Sequence, residues 1–292
     1  MWIRRMSPLP FRSWLNLKPM KRPGKRTITG ILFGIIMLSV LLAGVKVVAF
    51  FFFIPALLSV DEFLRLHKFR RFSAVTASIL FTASLLYLLV ASFQLFSLQT
   101  NLLGILLLLP WFTAVVSMAT EKGGHTTSFL ASIIALFILV APFALFLSFY
   151  TQSKARELPD YVIPMAFFSI IWINDIFAYF IGKTWGKHPL APRISPRKTR
   201  EGTVGGIGCS LLAGGIIHLL VAPNTTLAFW LGFALLTSVG AIFGDLLESA
   251  MKRRLTIKDS GNLLPGHGGI LDRFDSMFMA TPLLFVYLTL LS

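Results

Sequence analysis

Between Asp245 and Asp275 the chain places five of its twelve acidic residues, Asp245, Glu248, Asp259, Asp272 and Asp275, among Lys252, Arg253, Arg254, Lys258 and Arg273. Glu248, Ser249 and Lys252 follow Asp245 by three, four and seven positions, the spacing that lines one face of a helix. Asp272 and Asp275 are likewise three apart. Two carboxylate faces with no Cys and little His make an oxygen-only donor set. Such a set suits a hard cation such as Mg²⁺, which takes one or two carboxylates together with substrate phosphates and water. Solvated helix ends are the plain alternative, which fits a lone Asp better than this cluster.

The loop between the two acidic faces carries Gly261, Gly266, Gly268 and Gly269 around His267. Glycines let backbone N–H groups approach phosphate oxygens, and the neighbouring Lys and Arg supply opposite charge. His267 alone fits a proton shuttle, a phosphate donor or a structural residue. A second basic stretch holds Lys183, Lys187, Arg193, Ser195, Arg197, Lys198, Thr199 and Arg200 ahead of Glu201-Gly202 and Gly205-Gly206. Hydroxyls and cations before a helix N-terminus make a ready anion site. Asp175 lies within the apolar run FSIIWINDIFAYFIGK. An ionisable group inside a membrane segment costs on the order of 3 kcal/mol unless it faces a polar interior. Asn174 beside it favours a polar cavity over a single ion pair, with a structural partner on a neighbouring helix as the bland reading.

These groups must be positioned by membrane helices. The chain has 292 residues, 55% hydrophobic and only 13% charged, with a mean hydropathy of +0.77, where a water-soluble domain carries roughly 25% charged residues. A membrane-spanning helix needs about 20 mostly apolar residues. Nine such segments are read near 27–44, 46–64, 72–93, 101–118, 127–150, 161–183, 203–222, 226–251 and 273–291. The second is the weakest, because Lys46 opens it and Pro55 interrupts it, so the first two fit a tight hairpin. The expected fold is therefore all-α, a polytopic integral membrane protein with about nine transmembrane helices. Its regions are a basic arm at 1–26, N-terminal helices at 27–150 and a catalytic transmembrane region at 151–292.

The arm carries eight Lys and Arg residues and no acid, with Trp2, Phe11 and Trp14 among them. That pattern suits an anionic membrane surface; with membrane helices following directly, no nucleic-acid partner is expected. If nine helices alternate, 24 of the 27 Lys and Arg residues fall on the side of the N-terminus, leaving only Lys46, Lys154 and Arg156 opposite. Short loops rich in Lys and Arg stay cytoplasmic, so the N-terminus is placed inside and the C-terminus outside. The acidic helix ends and both basic loops then share the cytoplasmic face. The single Cys209 excludes a disulfide within one chain and reads as a packing residue.

The run Ser249-x-x-Lys252-Arg253, four residues, Lys258-Asp259, then Pro265-x-His267-Gly268-Gly269-x-x-Asp272-Arg273-x-Asp275 resembles the signature of the phosphatidate cytidylyltransferase (CDP-diacylglycerol synthase) family. Ile194-Ser195-Pro196-Arg197-Lys198-Thr199-x-Glu201-Gly202, and Asn174-Asp175 with Ala178-Tyr179 and Gly182, resemble the same family's other motifs. Arg200 departs from the family's usual apolar residue and is assigned no role. The resemblance is strong over residues 161 to 292 and extends to the earlier helices only in hydropathy.

It implies transfer of a cytidylyl group from CTP to phosphatidic acid in phospholipid biosynthesis, at the cytoplasmic face of the cell inner membrane. It further implies Mg²⁺ on Asp245 and Asp272 with Asp275 ligating or supporting them, room for a second cation, and Asp175 lining the same cavity. Lys198, Lys252, Arg253, Lys258 and Arg273 would grip phosphates, with Ser195, Thr199, Ser249, Asp259, Gly268 and Gly269 completing the substrate site. Lys252 and His267 are grouped with the three Asp residues as catalytic, His267 as an organiser rather than an obligatory base. The resemblance makes a homodimer plausible, though no interface is identifiable in the sequence. Rival readings are a CTP-dependent polyprenol kinase, a cytidylyltransferase for isoprenoid ether lipids and, outside enzymes, an ion-coupled transporter with Asp175 as its coupling residue. The charge asymmetry predicts that a reporter active only outside the cytoplasm gives signal when fused after Ser292 and none when fused before Met1; the opposite pattern would overturn the orientation.

Overall fold

The computed structural model describes residues 25–96, 125–257, 260–261 and 268–291. Helix α1 spans Lys25–Leu42, α2 Val45–Leu66 and α3 Ala74–Phe96. A nearly continuous rod follows: α4 His125–Ile133, a π-helical stretch Ile134–Val140, α5 Ala141–Phe146 and α6 Ser148–Ala155. Then come α7 Val162–Trp185, strands β1 Pro189–Ala191 and β2 Ser195–Thr199, α8 Arg200–Leu220, α9 Leu227–Arg254 and α10 Leu271–Leu290. The expected segment at 101–118 and most of the basic arm lie outside the described residues. Every other expected segment is helical.

Six of these helices are long and apolar enough to cross a membrane, so the chain is a mainly helical, polytopic membrane protein. α10 is not among the six; its first turns carry Asp272, Arg273 and Asp275. Three local features differ from expectation. Pro55 sits inside an unbroken, buried stretch of α2 rather than interrupting it. The fifth segment widens into a π turn just before Pro142, whose ring excludes the normal i→i−4 bond and crowds the preceding carbonyl. The basic loop after α7 is not irregular: β1 and β2 pair antiparallel, with Ala191 opposite Ser195 and Pro189 opposite Thr199. Its prolines, Pro189, Pro192 and Pro196, forbid helix but are tolerated in a two-stranded edge.

The core is aromatic. Phe52 of α2 meets Phe143 and Phe146 of α5, Phe168 of α7 and Phe274 of α10 at ring-centroid separations of 5.2 to 6.3 Å. Edge-on contacts of this kind add to simple burial and lock the early helices onto the acidic end of α10.

The last four helices pack backbone to backbone. Without a hydrophobic driving force between helices in lipid, small residues four apart permit the close approach. On α8, a Cβ at Gly202 would meet the Ala178 carbonyl oxygen at 2.5 Å and one at Gly206 the Asn174 carbonyl oxygen at 2.8 Å. On α9, a Cβ at Gly240 would meet Ala280 Cα at 2.5 Å, and one at Gly244 would run into the carbonyl of Asp275. Helices α7 and α8, and α9 and α10, are thus held at the distance that sets Asp175 and Asp275. Gly240→Leu is expected to lower stability by about 1–3 kcal/mol through overpacking, read as a lower Tm of the solubilised protein; an unchanged Tm would sink this account of the α9–α10 contact.

Candidate active site

At the charged ends of these helices lies a cavity of about 340 Å³. Asp175 of α7, Asp245 of α9 and Asp272, Arg273 and Asp275 of α10 line it, with an apolar wall from Phe33 and Met37 of α1 and Phe168, Ile171 and Trp172 of α7. The sequence separates these acids by up to a hundred residues, and the glycine contacts bring them to one space.

Their surroundings differ. Asp245 forms an ion pair with Lys198 of β2, and Ser249, one turn along α9, donates its hydroxyl to Asp245 Oδ1 at 3.2 Å. Asp175 accepts from Asn174 Nδ2 at 3.4 Å. Asp275 Oδ1 accepts from the Ser276 amide at 2.6 Å and its hydroxyl at 3.3 Å. Asp175, Asp245 and Asp275 lie within electrostatic range of one another and of Lys198. Three carboxylates thus share essentially one ammonium, and neither Asp175 nor Asp275 makes an ion pair among the described residues.

Asp272 is more fully engaged. Lys252 Nζ lies 2.7 Å from its Oδ1 and 2.5 Å from Glu248 Oε2. Its Oδ2 accepts from the amides of Ser260 at 3.1 Å and Gly269 at 2.9 Å. Asp272 therefore ties both ends of the α9–α10 loop to the start of α10, and Lys252 holds two acids rather than facing the cavity.

The hairpin is fixed to α9 twice, by Lys198 to Asp245 and by Arg253 Nε to the Ile194 carbonyl at 3.2 Å. It is fixed to α8 by Glu201, which accepts from the amides of Lys187 at 3.1 Å and His188 at 3.2 Å and pairs with His188 Nδ1 at 2.5 Å. Thr199 ends β2 and caps α8, its hydroxyl oxygen accepting from the Gly202 amide at 3.1 Å, as an N-cap side chain does. That use leaves Thr199 facing the helix start.

The structure thus gathers Asp175, Asp245, Asp272, Arg273 and Asp275 on one cavity. Ser249 and Lys198 are in contact with Asp245, and Lys252, Gly268 and Gly269 surround Asp272. Ser195 and Thr199 lie on β2, and Arg253 of α9 is bonded to the hairpin. Lys258, Asp259 and His267 fall outside the described residues. Sequence reasoning placed Glu248 on the acidic face without assigning it a role, and it missed Glu62 of α2, whose buried carboxylate accepts from the Leu271 amide at 3.0 Å. Glu62 follows Asp61 at a helix end, and adjacent acids there read as solvated charge.

As they stand, no three Asp, Glu, His or Cys side chains among the described residues are gathered closely enough to hold a metal ion. The donor set nonetheless fits a hard divalent cation: carboxylates from three helices line one space with a deficit of positive charge.

The match to known proteins runs the length of this architecture. The cytidylyltransferase family model covers residues 24–291. The chain is 34% identical over 278 residues to the phosphatidate cytidylyltransferase of Bacillus subtilis (strain 168), spanning 92% of this chain and 98% of that protein. It is 35% identical over 263 residues to the protein of the same name from Staphylococcus aureus (strain COL), and 33% over 264 residues to one from Staphylococcus epidermidis, each spanning 90% of this chain and 98% of the relative. The cavity's carboxylates, the hairpin and the α9–α10 loop all lie inside the matched region, and the chain belongs to the cytidylyltransferase family.

Proposed function

We propose that this chain is a phosphatidate cytidylyltransferase, transferring the cytidylyl group of CTP to phosphatidic acid to give CDP-diacylglycerol and pyrophosphate. The observation that carries the reading is the shared cavity of Asp175, Asp245, Asp272 and Asp275 beside Lys198, in a chain matched to the family over residues 24–291. A phosphate oxygen of the lipid attacks the α-phosphorus of CTP; the bond from that phosphorus to the β-phosphate bridge oxygen breaks, and pyrophosphate leaves with the electron pair. No covalent enzyme intermediate is needed. The protein's work is to hold two polyanions together and in line.

Arg273 lines the cavity and Lys198 pairs with Asp245 beside it, and both grip phosphates, with Arg253 and Lys258 as further phosphate-binding cations. Lys252 keeps Glu248 and Asp272 in register, so its role is to place Asp272. Ser195, Thr199, Ser249, Asp259, Gly268 and Gly269 form the substrate-orienting frame, and His267 organises the loop. Mg²⁺ held by Asp245, Asp272 and Asp275, with space beside Asp175 for a second cation, would neutralise phosphate charge when bound.

The same reading places nine transmembrane helices, the N-terminus and the site at the cytoplasmic face of the inner membrane. Soluble CTP arrives there while the lipid's tails stay in the bilayer. A homodimer belongs to it too. Only 17% of the apolar stretch of α8 is buried, where the other candidate spans among the described residues are each at least half buried, so α8 offers the face that a second copy would cover.

Purified protein given Mg²⁺, phosphatidic acid and CTP labelled at the α-phosphate is expected to form labelled CDP-diacylglycerol and unlabelled pyrophosphate. Release of CDP with a phosphorylated polyprenol, or no lipid product from phosphatidic acid, would overturn the reading. Asp245→Asn and Asp272→Asn are each expected to cut turnover on the order of 10²–10³-fold with membrane insertion retained. Full activity in either variant would refute its assignment.

A further inference from the structure

Glu62 lies in the last turns of α2, only 2% exposed, on a helix that contributes nothing to the lining of the acidic cavity. Its neighbour Asp61 pairs with Arg65 at 2.9 Å nearer the surface, while Glu62 turns inward. A buried carboxylate is costly unless hydrogen bonds compensate it. Glu62 Oε2 accepts from the Leu271 amide at 3.0 Å and from the Ser260 hydroxyl at 3.4 Å, and among the described residues it makes no ion pair.

The two donors sit at opposite ends of the α9–α10 loop. Leu271 opens α10, where amides have no partner within the helix and a negative charge is favoured by the helix dipole. The residue before it, Ile270, has no side chain that could cap, so Glu62 supplies the missing acceptor from 209 positions away. The loop is shaped to admit it. A Cβ on Gly261 would lie 2.5 Å from Glu62 Oε1, and one on Gly269 would run into Ser260 Oγ and lie 2.5 Å from Glu62 Oε2. The same two loop ends are bound by Asp272 through the amides of Ser260 and Gly269. Two carboxylates therefore grip one pair of loop ends, Asp272 from α10 and Glu62 from α2.

We propose that Glu62 is a positioning residue for the transferase: seated between Ser260-Gly261 and Gly269-Leu271, it holds these two ends of the α9–α10 connection together and with them the placement of Asp272 and Arg273 at the cavity. This rests on the cytidylyltransferase reading. Glu62 touches no substrate. It acts through the loop ends, so its loss shifts Asp272 and Arg273 without removing any group that lines the cavity.

The test is a kinetic double-mutant cycle on the full chain in detergent or lipid, measuring kcat and KM for CTP with phosphatidic acid as acceptor, on protein shown to be inserted and monodisperse. Glu62→Ala is expected to lower kcat/KM by about 10²-fold, the scale of a misplacement of roughly 1 Å, and Glu62→Gln, which keeps one acceptor oxygen, by less. Gly261→Ala, whose added methyl would meet Glu62 Oε1 at 2.5 Å and otherwise only Gly269 Cα at 3.4 Å, is expected to be costly in the wild-type background and nearly free in Glu62→Ala, because the methyl then occupies the space that the carboxylate leaves. Wild-type kcat/KM in inserted Glu62→Gln and Glu62→Ala, or a cycle that is simply additive, would overturn the proposal. If Glu62→Ala does not insert, the cycle is run with Glu62→Asp, which draws the carboxylate back by one methylene, and additivity there overturns the proposal equally. A Glu62 variant that loses Tm while its folded fraction keeps wild-type kcat and KM would show a stabilising cap only, and the positioning role would fall. Wild-type protein that makes no CDP-diacylglycerol refutes the function itself; active wild-type with indifferent Glu62 variants refutes this inference alone.

Discussion

The ion pair between Lys198 and Asp245 joins two pieces of chain of unlike character: a polar hairpin outside the helices and the acidic turn of a membrane-crossing helix. A carboxylate on a membrane helix must face a polar interior or carry a partner. Asp245 does both: it lines the cavity and pairs with Lys198. The hairpin's other ties, Arg253 to Ile194 and Glu201 to His188, keep that lysine from swinging into solvent. The site's positive charge is thus held against its negative charge by structure on two sides. It does not depend on an isolated surface salt bridge, which would contribute little.

The carboxylates stay together because the helices carrying them have almost no side chains between their backbones. Gly202 and Gly206 bring α8 against α7 at Ala178 and Asn174, one residue from Asp175. Gly240 and Gly244 bring α9 against α10 at Ala280 and Asp275. Lipid gives helices no hydrophobic reason to associate, so this close packing must supply the cohesion. It also fixes the site's dimensions, since a single added methyl at Gly244 would push on the backbone of Asp275 itself.

Features written as long-range patterns were legible in the sequence. Apolar length marked the helices that are described, charge asymmetry proposed their orientation, and the three-residue spacing of Asp272 and Asp275 marked the acidic start of α10. Features that depend on which distant backbone group a side chain meets were not legible. Glu62 resembles a solvated helix end until α10 places the Leu271 amide against it. Lys252, on the same helical face as Asp245, is expected at phosphates, yet Glu248 and Asp272 claim it. Thr199 caps a helix because the chain before it is a strand, and that hairpin was hidden by the shortness of its strands and by its prolines. The glycines were visible as composition only; their partners, and hence their purpose, exist in three dimensions alone.

The cavity's two unlike walls bear on what it can take. Asp175, Asp245, Asp272 and Asp275 with Arg273 form one side, and Phe33, Met37, Phe168 and Trp172 form the other. A soluble nucleotide alone has no use for the apolar side, and a lipid tail alone would not tolerate the acidic one. On the proposed function both are needed, because the acceptor phosphate enters attached to its hydrophobic tails. On α1, Phe33 and Met37 turn inward to the cavity while Ile31, Leu32, Ile35 and Ile36 face outward, as lipid-facing positions do. On the proposed function, α1 stands between the bilayer and the cavity, on the side from which a diacyl substrate would keep its tails in lipid while its phosphate meets CTP.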